Sequence, residues 1–406
     1  MSHDHSPLPP LGPGTTAVWA GEEARRPGDP TQTPTVSSVS FGYRDMEDWL
    51  EVARGERPGH IYGRNTNPTV AVFEEKVRTL EAGPGPSKAT AFATGMAAIS
   101  GTLWALLSPG KRVVSVRDTY GGTSVIFTDY LPRYGVDVVL CPTDDAEAIE
   151  AEVAAGCDLL YLETPTNPTL RVLDLERLSR AGRTAGATVV VDNTFATPLN
   201  QRPLDFGAHL VLHSATKFLG GHADALGGVA CGDPERIETL FRFREITGAS
   251  LHPEAAYLLL RGMKTLHLRI ARQNESALRI ARWLESAPGV RAVHYPGLES
   301  NPGHEVARRQ MRGFGGVLSF ELEGGMDAVG RCLGALRLAH LAANLGAVET
   351  VAGTPATTSH VECTAEERAA LGIPEGLIRY SVGIEDADDL IRDLERALLV
   401  AGGAGG

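Results

Sequence analysis

The sequence predicts an α/β protein: a mostly parallel sheet with helices on both faces, plus a smaller α+β unit at its C-terminal end. Two observations carry this. Between Lys111 and Asp192, short β-branched apolar runs alternate with amphipathic helical stretches, and strands interleaved with helices build parallel sheets covered on both sides. After Gly232-Asp233-Pro234 the character changes to long helical stretches with a few short strands. The chain has 406 residues, 43% of them hydrophobic, enough for a large core and about two domains.

Taken in order, residues 1 to about 34 are rich in Pro, Gly, Thr and Asp and read as a flexible arm with no core of its own. His3 and His5 within it suit a solvated tail better than a metal site. Tyr62-Gly63-Arg64-Asn65-Thr66-Asn67-Pro68-Thr69 is a Pro-marked turn leading to a helix over 70–80, and Gly83-Pro84-Gly85-Pro86 is a turn without the G-K-[ST] ending of a phosphate loop. Thr94 is a good N-cap for a helix that stops before Pro109-Gly110. Strands follow at 112–116, 136–141, 158–163 and 188–192, with helices at 145–155 and 173–185. The later part predicts helices at 236–244, 253–286, 327–336 and 386–399 and strands near 291–295, 316–322 and 378–382, before a Gly/Ala tail.

Composition excludes several classes. A net charge of -12 shows no basic patch for nucleic acid, and no apolar run approaches the roughly 18 residues of a membrane span. The start, MSHDHSPLPPLGPG, has neither a positive region nor an apolar one, so no secretory signal is expected. The five cysteines form no C-x-x-C pair, which argues for a reducing cytoplasm over zinc or disulfides.

The chemistry gathers around Leu210-Val211-Leu212-His213-Ser214-Ala215-Thr216-Lys217-Phe218-Leu219-Gly220-Gly221-His222. An apolar strand here runs into small and hydroxylated residues and delivers one lysine. Burial disfavours the ammonium form, and a neutral amine forms a Schiff base with an aldehyde; most lysines, however, are simply at the surface. Upstream, TVVVDNT is a buried strand with Asp192 at its exit. Such an aspartate commonly caps a helix, yet a carboxylate is also what keeps a pyridine nitrogen protonated. Tyr120, Glu163, Asn167, Asp192, Ser214 and Lys217 all follow or end predicted strands, the edge where open α/β sheets bind ligands. Around Thr94, free N–H groups and the helix dipole favour an anion.

The stretch TVVVDNTFATPLNQRPLDFGAHLVLHSATKFLGGH resembles the core of the Cys/Met-metabolism PLP enzymes, the transsulfuration family, and the resemblance extends from about Thr35 to about Leu399. It implies PLP fold type I, the aspartate-aminotransferase-like fold, with pyridoxal 5'-phosphate (PLP) held by Lys217 and its ring nitrogen paired with Asp192. It implies that the backbone of Gly95 and Met96, with Ser214, Thr216 and Thr194, holds the cofactor, that Tyr120 stacks on its ring and that Asn167 meets its phenolic oxygen. Tyr62 and Arg64 are implied to reach the phosphate of a neighbouring subunit, and Tyr62, Tyr120, Asp192 and Lys217 to form the catalytic set. Arg379, in Ile378-Arg379-Tyr380-Ser381-Val382-Gly383, matches the arginine for the substrate α-carboxylate, with Tyr120 and Asn344 beside it. Three divisions follow: an arm over 1–60 contacting the neighbouring subunit, a PLP-binding α/β domain over 61–254 and a C-terminal α+β domain over 255–406. The expected assembly is a homotetramer made of active dimers, with a small amino-acid substrate, no nucleic acid and no membrane partner.

The same resemblance marks departures. Where cystathionine synthases carry an arginine five residues after the tyrosine, this chain has Val125; where methionine γ-lyases carry a cysteine two residues after it, this chain has Gly122. Leu341 to Thr350 matches L-A-E-S-L-G-G-V-E-S with Ala343 for the glutamate, Asn344 for the serine that orients the lysine, and Thr354 for a histidine before Pro355. The expected site is less charged than a cystathionine site. It suits γ-elimination or γ-replacement on a homoserine ester or thioether amino acid, with a lyase acting on cystathionine, cysteine or methionine as the alternative and a non-catalytic PLP-fold protein as a minor one.

Overall fold

A computed structural model describes residues 11–22, 28–361 and 363–403; His3 and His5 lie outside them. The large sheet has seven strands: β1 (Lys88–Phe92), β2 (Arg112–Val116), β3 (Asp137–Cys141), β4 (Leu159–Glu163), β5 (Thr188–Asp192), β6 (Leu210–Ser214) and β7 (Gly228–Gly232). Their order is β1-β7-β6-β5-β4-β2-β3. Strands β2 to β6 pair in parallel, whereas β7 runs antiparallel to both β6 and β1. The central strands are apolar along their length because both faces are covered. Phe127, Tyr161, Val190 and Leu212 lie in the core on one side, and Leu160, Val191, Leu175 and Leu178 in the core on the other.

The mostly parallel sheet is as expected, but β1 and β7 go beyond the sequence reading. β7 reads Gly-Val-Ala-Cys-Gly, too small and short to signal a strand, yet all five residues are buried. Its small residues have a steric reason: a Cβ on Gly228 would stand 2.1 Å from the carbonyl oxygen of Thr94. Only glycine lets the start of the Gly95–Leu106 helix approach the sheet so closely.

A second sheet contains β8 (Val290–His294), β9 (Val317–Leu322), β10 (His340–Leu341), β11 (Val351–Gly353) and β12 (Leu377–Ser381), in the order β10-β11-β12-β9-β8. Helices Gly325–Ala335 and Ala387–Ala401 contribute Val329, Leu390 and Leu394 to the core against it. The single helix expected over 253–286 is instead two, Pro253–Met263 and Leu266–Leu284, broken at Thr265. Buried Arg269 occupies the break. It donates to the carbonyls of Gly262 (2.9 Å) and Phe218 (2.8 Å), taking up acceptors that a helix end leaves without partners.

The expectation of a coreless N-terminal stretch fails for residues 13–22. Pro13–Trp19 is helical and Ala17 is fully buried. The Lys76 ammonium, with no solvent exposure, donates to the carbonyls of Ala17 (3.1 Å) and Val18 (2.9 Å) and to Glu22 (3.1 Å). Cationic donors suit the last carbonyls of a helix. Burial pushes the Glu22 carboxyl up, but Lys264 and Lys76 bring it below its ordinary value. A depressed carboxyl stabilises above the ordinary carboxylate range and loses that contribution as pH falls through it. Among the described residues no helix is long and apolar enough to cross a membrane.

Lys76→Met is therefore expected to loosen this segment while leaving both sheets intact. Hydrogen exchange should show the opening free energy of residues 14–20 falling by about 1–3 kcal/mol, the worth of charged hydrogen bonds; unchanged protection there would contradict the anchoring of this segment by Lys76.

Candidate active site

Three parallel strands end side by side. Glu163 closes β4, Asp192 closes β5 and Ser214 closes β6, with Glu163 opposite Asp192 and Asp192 opposite Leu212 in register. Their side chains line a cavity of about 240 Å³, together with Thr94, Gly95, Met96, Tyr120, Asn167, Thr194, Thr216, Lys217 and Arg379. The turn after β6 delivers Lys217, closed by bonds from Gly220 N–H to the Ala215 carbonyl (2.9 Å) and from Gly221 N–H to the Lys217 carbonyl (2.8 Å).

Lys217 is the electrostatic centre of the cavity. Burial, and secondarily the charge of Arg379, lower its pKa to about 8. Its Nζ donates to Asn344 Oδ1 at 2.9 Å. Arg379 is itself 5% exposed, and burial pushes it down to about 10. It donates to Asn167 Oδ1 (3.2 Å) and to the Asn344 carbonyl (3.0 Å); both are neutral acceptors. A buried guanidinium facing a cavity with neutral partners is prepared for an anion.

Asp192 Oδ1 accepts from Thr194 twice, from its N–H (3.0 Å) and its hydroxyl (2.6 Å). Its other oxygen takes only a long bond from Tyr161, 3.4 Å. Burial raises its carboxyl, with the Thr194 bonds and His213 opposing. Glu163 goes well above its ordinary value through burial and the facing Asp192. Its Oε2 accepts from the Tyr120 N–H at 2.8 Å, which ties the tyrosine loop to the sheet. A cation placed against the free side of Asp192 offsets burial and favours the carboxylate.

Also in the cavity lining, Thr94 caps the Gly95–Leu106 helix through its hydroxyl, which accepts from Ala97 N–H. The N–H groups of Gly95 and Met96 have no intrahelical partner, as for any first helical turn. A Cβ on Gly95 would lie 2.6 Å from the Ser214 side chain, so glycine lets the helix start meet the strand end. The cavity lining thus combines an anion-favouring helix start, a carboxylate and an amine. That donor set fits a phosphate at the helix, an aldehyde at the amine and a basic ring nitrogen at Asp192.

Some expected residues are engaged elsewhere or lie outside the cavity. The Thr216 hydroxyl is engaged with the backbone of Gly227, accepting from its N–H (3.1 Å) and donating to its carbonyl (3.2 Å). Tyr62 and Arg64 are both exposed and lie outside the lining, with the Arg64 guanidinium 5.5 Å over the Tyr62 ring. Val125 is also absent from the lining, and Ala343 is present. Tyr161, Thr358 and Ser359 extend the sequence expectation. Tyr161 had a usable signal, since it stands two residues before Glu163 on one strand and so shares its face. Thr358 and Ser359 sit in a loop after Pro355 that carries no periodic signal.

An amine of lowered basicity at the carboxyl edge of a parallel sheet, with a strand-end carboxylate and a helix N-terminus around it, defines the class of PLP-dependent enzymes built on this fold. The comparisons agree and narrow the class. The family of Cys/Met metabolism PLP-dependent enzymes matches residues 14–399. The chain is 40% identical to chloroplastic cystathionine gamma-synthase 1 of Nicotiana tabacum, over 95% of this chain and 71% of that protein. It is 41% identical to O-succinylhomoserine sulfhydrylase of Pseudomonas aeruginosa, over 95% and 94% of the two chains, and 41% identical to L-methionine gamma-lyase of Fusobacterium nucleatum subsp. polymorphum, over 95% and 98%. The structure of cystathionine gamma synthase from Xanthomonas oryzae pv. oryzae, in complex with aminoacrylate and cysteine, superposes with a TM-score of 0.91 at 38% identity, covering 97% of this chain and 100% of that one. The chain belongs to the Cys/Met metabolism family of PLP-dependent enzymes.

The lowered pKa of Lys217 is directly measurable. In cofactor-free protein, acylation of Lys217 by acetic anhydride, quantified by peptide mapping, should rise with pH through a midpoint near 8. A midpoint near the ordinary lysine value of about 10.4 would show that the amine is not desolvated.

Proposed function

We propose that the protein carries out γ-elimination or γ-replacement on a small amino acid bearing a compact γ-substituent, a homoserine ester or a thioether. The observation that carries this reading is the cavity that Lys217 and Arg379 both line, where the guanidinium helps to lower the amine and neutral oxygens are the partners of both. When bound, pyridoxal phosphate supplies an electron sink that acidifies the hydrogens of the substrate carbon chain.

The chain's own residues do the rest. Lys217 Nζ holds the cofactor and then moves the proton from the substrate Cα, for which an amine titrating near 8 is well matched to neutral pH. Asp192 would hold the ring nitrogen of that group and keep it protonated. Arg379 grips the α-carboxylate in a two-pronged pair that orients the Cα–H bond. Asn167 sets the Arg379 fork from one side, and Tyr120, tied down by Glu163, covers the open face. Gly95, Met96 and Ser214 hold the phosphate, with Thr194 and Thr216 fixing the strand end and turn around it. Asn344 takes over the orienting role of the family's serine, a reading supported by the 2.9 Å contact to Lys217. γ-Chemistry moves protons at two adjacent carbons, and one amine docked on a side-chain amide serves both.

A compact substituent is favoured because Ala343, Leu226 and Met96 contribute apolar lining to a cavity of about 240 Å³. The homologues named for γ-lyase and for sulfhydrylase reactions support the same carbon position. The catalytic unit is a dimer, arranged in pairs as a homotetramer: Tyr62 and Arg64 face outward from their own cavity and complete that of the neighbour. The 61–254 and 255–406 divisions follow the two sheets. A cytoplasmic location is supported by Cys141, Cys157, Cys231 and Cys332, which are all free thiols.

Two outcomes test this. Incubated with a homoserine ester, the holoenzyme should release 2-oxobutanoate or, with a thiol present, a γ-substituted amino acid; pyruvate from cysteine or cystathionine as the sole product would point instead to β-elimination. Asp192→Asn should keep its fold and lose turnover by roughly ten- to a thousandfold, since an opposite charge at contact shifts a pKa by about 1–3 units. Near-normal turnover in that variant would contradict the assignment.

A further inference from the structure

Beneath the cavity lies a buried polar chain that none of the steps above uses. Alternation along β5 and β6 sends Asp192, Thr194 and Ser214 toward the cavity and Asn193 and His213 to the opposite face. There Glu81, the penultimate residue of the Pro68–Ala82 helix, meets both with one oxygen. Oε1 lies 2.5 Å from His213 Nε2 and accepts from Asn193 Nδ2 at 2.9 Å. Glu81 is fully buried and His213 is 1% exposed. The chain continues: Gln201 Nε2 donates to Asn193 Oδ1 (3.0 Å) and to the Thr164 carbonyl (3.0 Å), and Gln310 Nε2 donates to Gln201 Oε1 (3.0 Å). Thr164 begins the loop that carries Asn167, and Gln310 ends the His304–Gln310 helix.

The two faces are mechanically joined. Ser214 N–H donates to Thr194 Oγ1 (2.9 Å), which donates on to Asp192 Oδ1 (2.6 Å), while Asn193 N–H donates to the Leu212 carbonyl (2.9 Å). A shift of Asn193 against His213 therefore moves Asp192 against the turn that carries Lys217. We propose that Glu81 is a positioning residue for catalysis: by gathering Asn193 and His213 on one carboxylate oxygen it sets the separation of the two strand ends that present Asp192 and Lys217. Hydrogen bonds to a carboxylate are short and directional, so the two contacts on Glu81 Oε1 fix where Asn193 and His213 sit. Glu81 Oε2 and His213 Nδ1 have no hydrogen-bond partner, so the chain is not an optimum of stability, and a function for the arrangement accounts for keeping it. The titratable groups that act with Glu81 are His213 from β6 and Cys231 from β7, whose thiol is raised by burial and then by Glu81, with Arg78 and Glu75 also acting on that thiol.

This inference rests on the PLP reading of the cavity. Wild-type holoenzyme comes first: if it fails to carry PLP at Lys217, that reading fails and the variants are not needed. With it established, Glu81→Leu should lower kcat by about ten- to a hundredfold with KM changed by less than about twofold, as expected for a small misplacement of reacting groups. The same variant without cofactor should show a severalfold change in the rate of Lys217 acylation, a readout independent of turnover. Asn193→Ala, which removes one arm and leaves the buried Glu81–His213 contact, should shift both quantities in the same direction and guards against a Glu81→Leu chain that does not fold. A lowered melting temperature with kcat and Lys217 acylation unchanged in the folded variants would overturn the proposal and leave Glu81 a purely structural residue.

Discussion

A largely buried amine and a buried guanidinium, each hydrogen-bonded to neutral oxygens, are what the rest of this structure serves. Lys217 and Arg379 line one cavity; burial lowers both, and the charge of Arg379 lowers Lys217 further. Left alone, such an arrangement is costly, because a buried charge needs a partner and hydrogen bonds to satisfy it. Neutral oxygens from Asn344 and Asn167 supply part of that need. The remainder is available to an anionic substrate group and to an aldehyde that consumes the amine, so the instability of the empty cavity and the affinity for its ligands are one physical fact.

The sheet makes this possible. Adjacent parallel strands bring Glu163, Asp192 and Ser214 to one edge, at one-strand spacing. Two carboxylates at that spacing cannot both ionise cheaply, and the environment separates them. Asp192 is bonded twice by Thr194 and faces the cavity, while Glu163 is pushed well above its ordinary range and holds the Tyr120 loop. Environment divides two chemically similar groups into a charge partner and a structural acceptor. The second sheet contributes Arg379 from the middle of β12, where β11 and β9 flank it, so the substrate-facing cation sits on a rigid element rather than a loop.

Legibility followed the physics of each element. β2, β4, β5 and β6 were readable because burial on both faces demands continuous apolar runs. β7 was not, since close approach to Thr94 demands small residues that look like a turn. The break at Thr265 was invisible because the apolar periodicity continues through it; Arg269, reaching back to the lysine turn, supplies acceptor satisfaction that no local pattern encodes. The Pro13–Trp19 helix was missed because its stability comes from Lys76, far along the chain, and not from its own Pro- and Gly-rich composition. Lys217, Asp192, Asn167 and Arg379 were legible through motifs, whereas the Glu81–His213 contact joins residues far apart in sequence, each of which reads as an ordinary core neighbour.

The central claim is that one amine, presented against one carboxylate, carries an aldehyde cofactor. Reconstitution with pyridoxal phosphate followed by borohydride reduction and peptide mapping tests it most directly. The account predicts a visible absorption band in the near-violet before reduction and a single modified residue, Lys217, after it. Absence of the band, or attachment distributed over other lysines with residue 217 untouched, would contradict it.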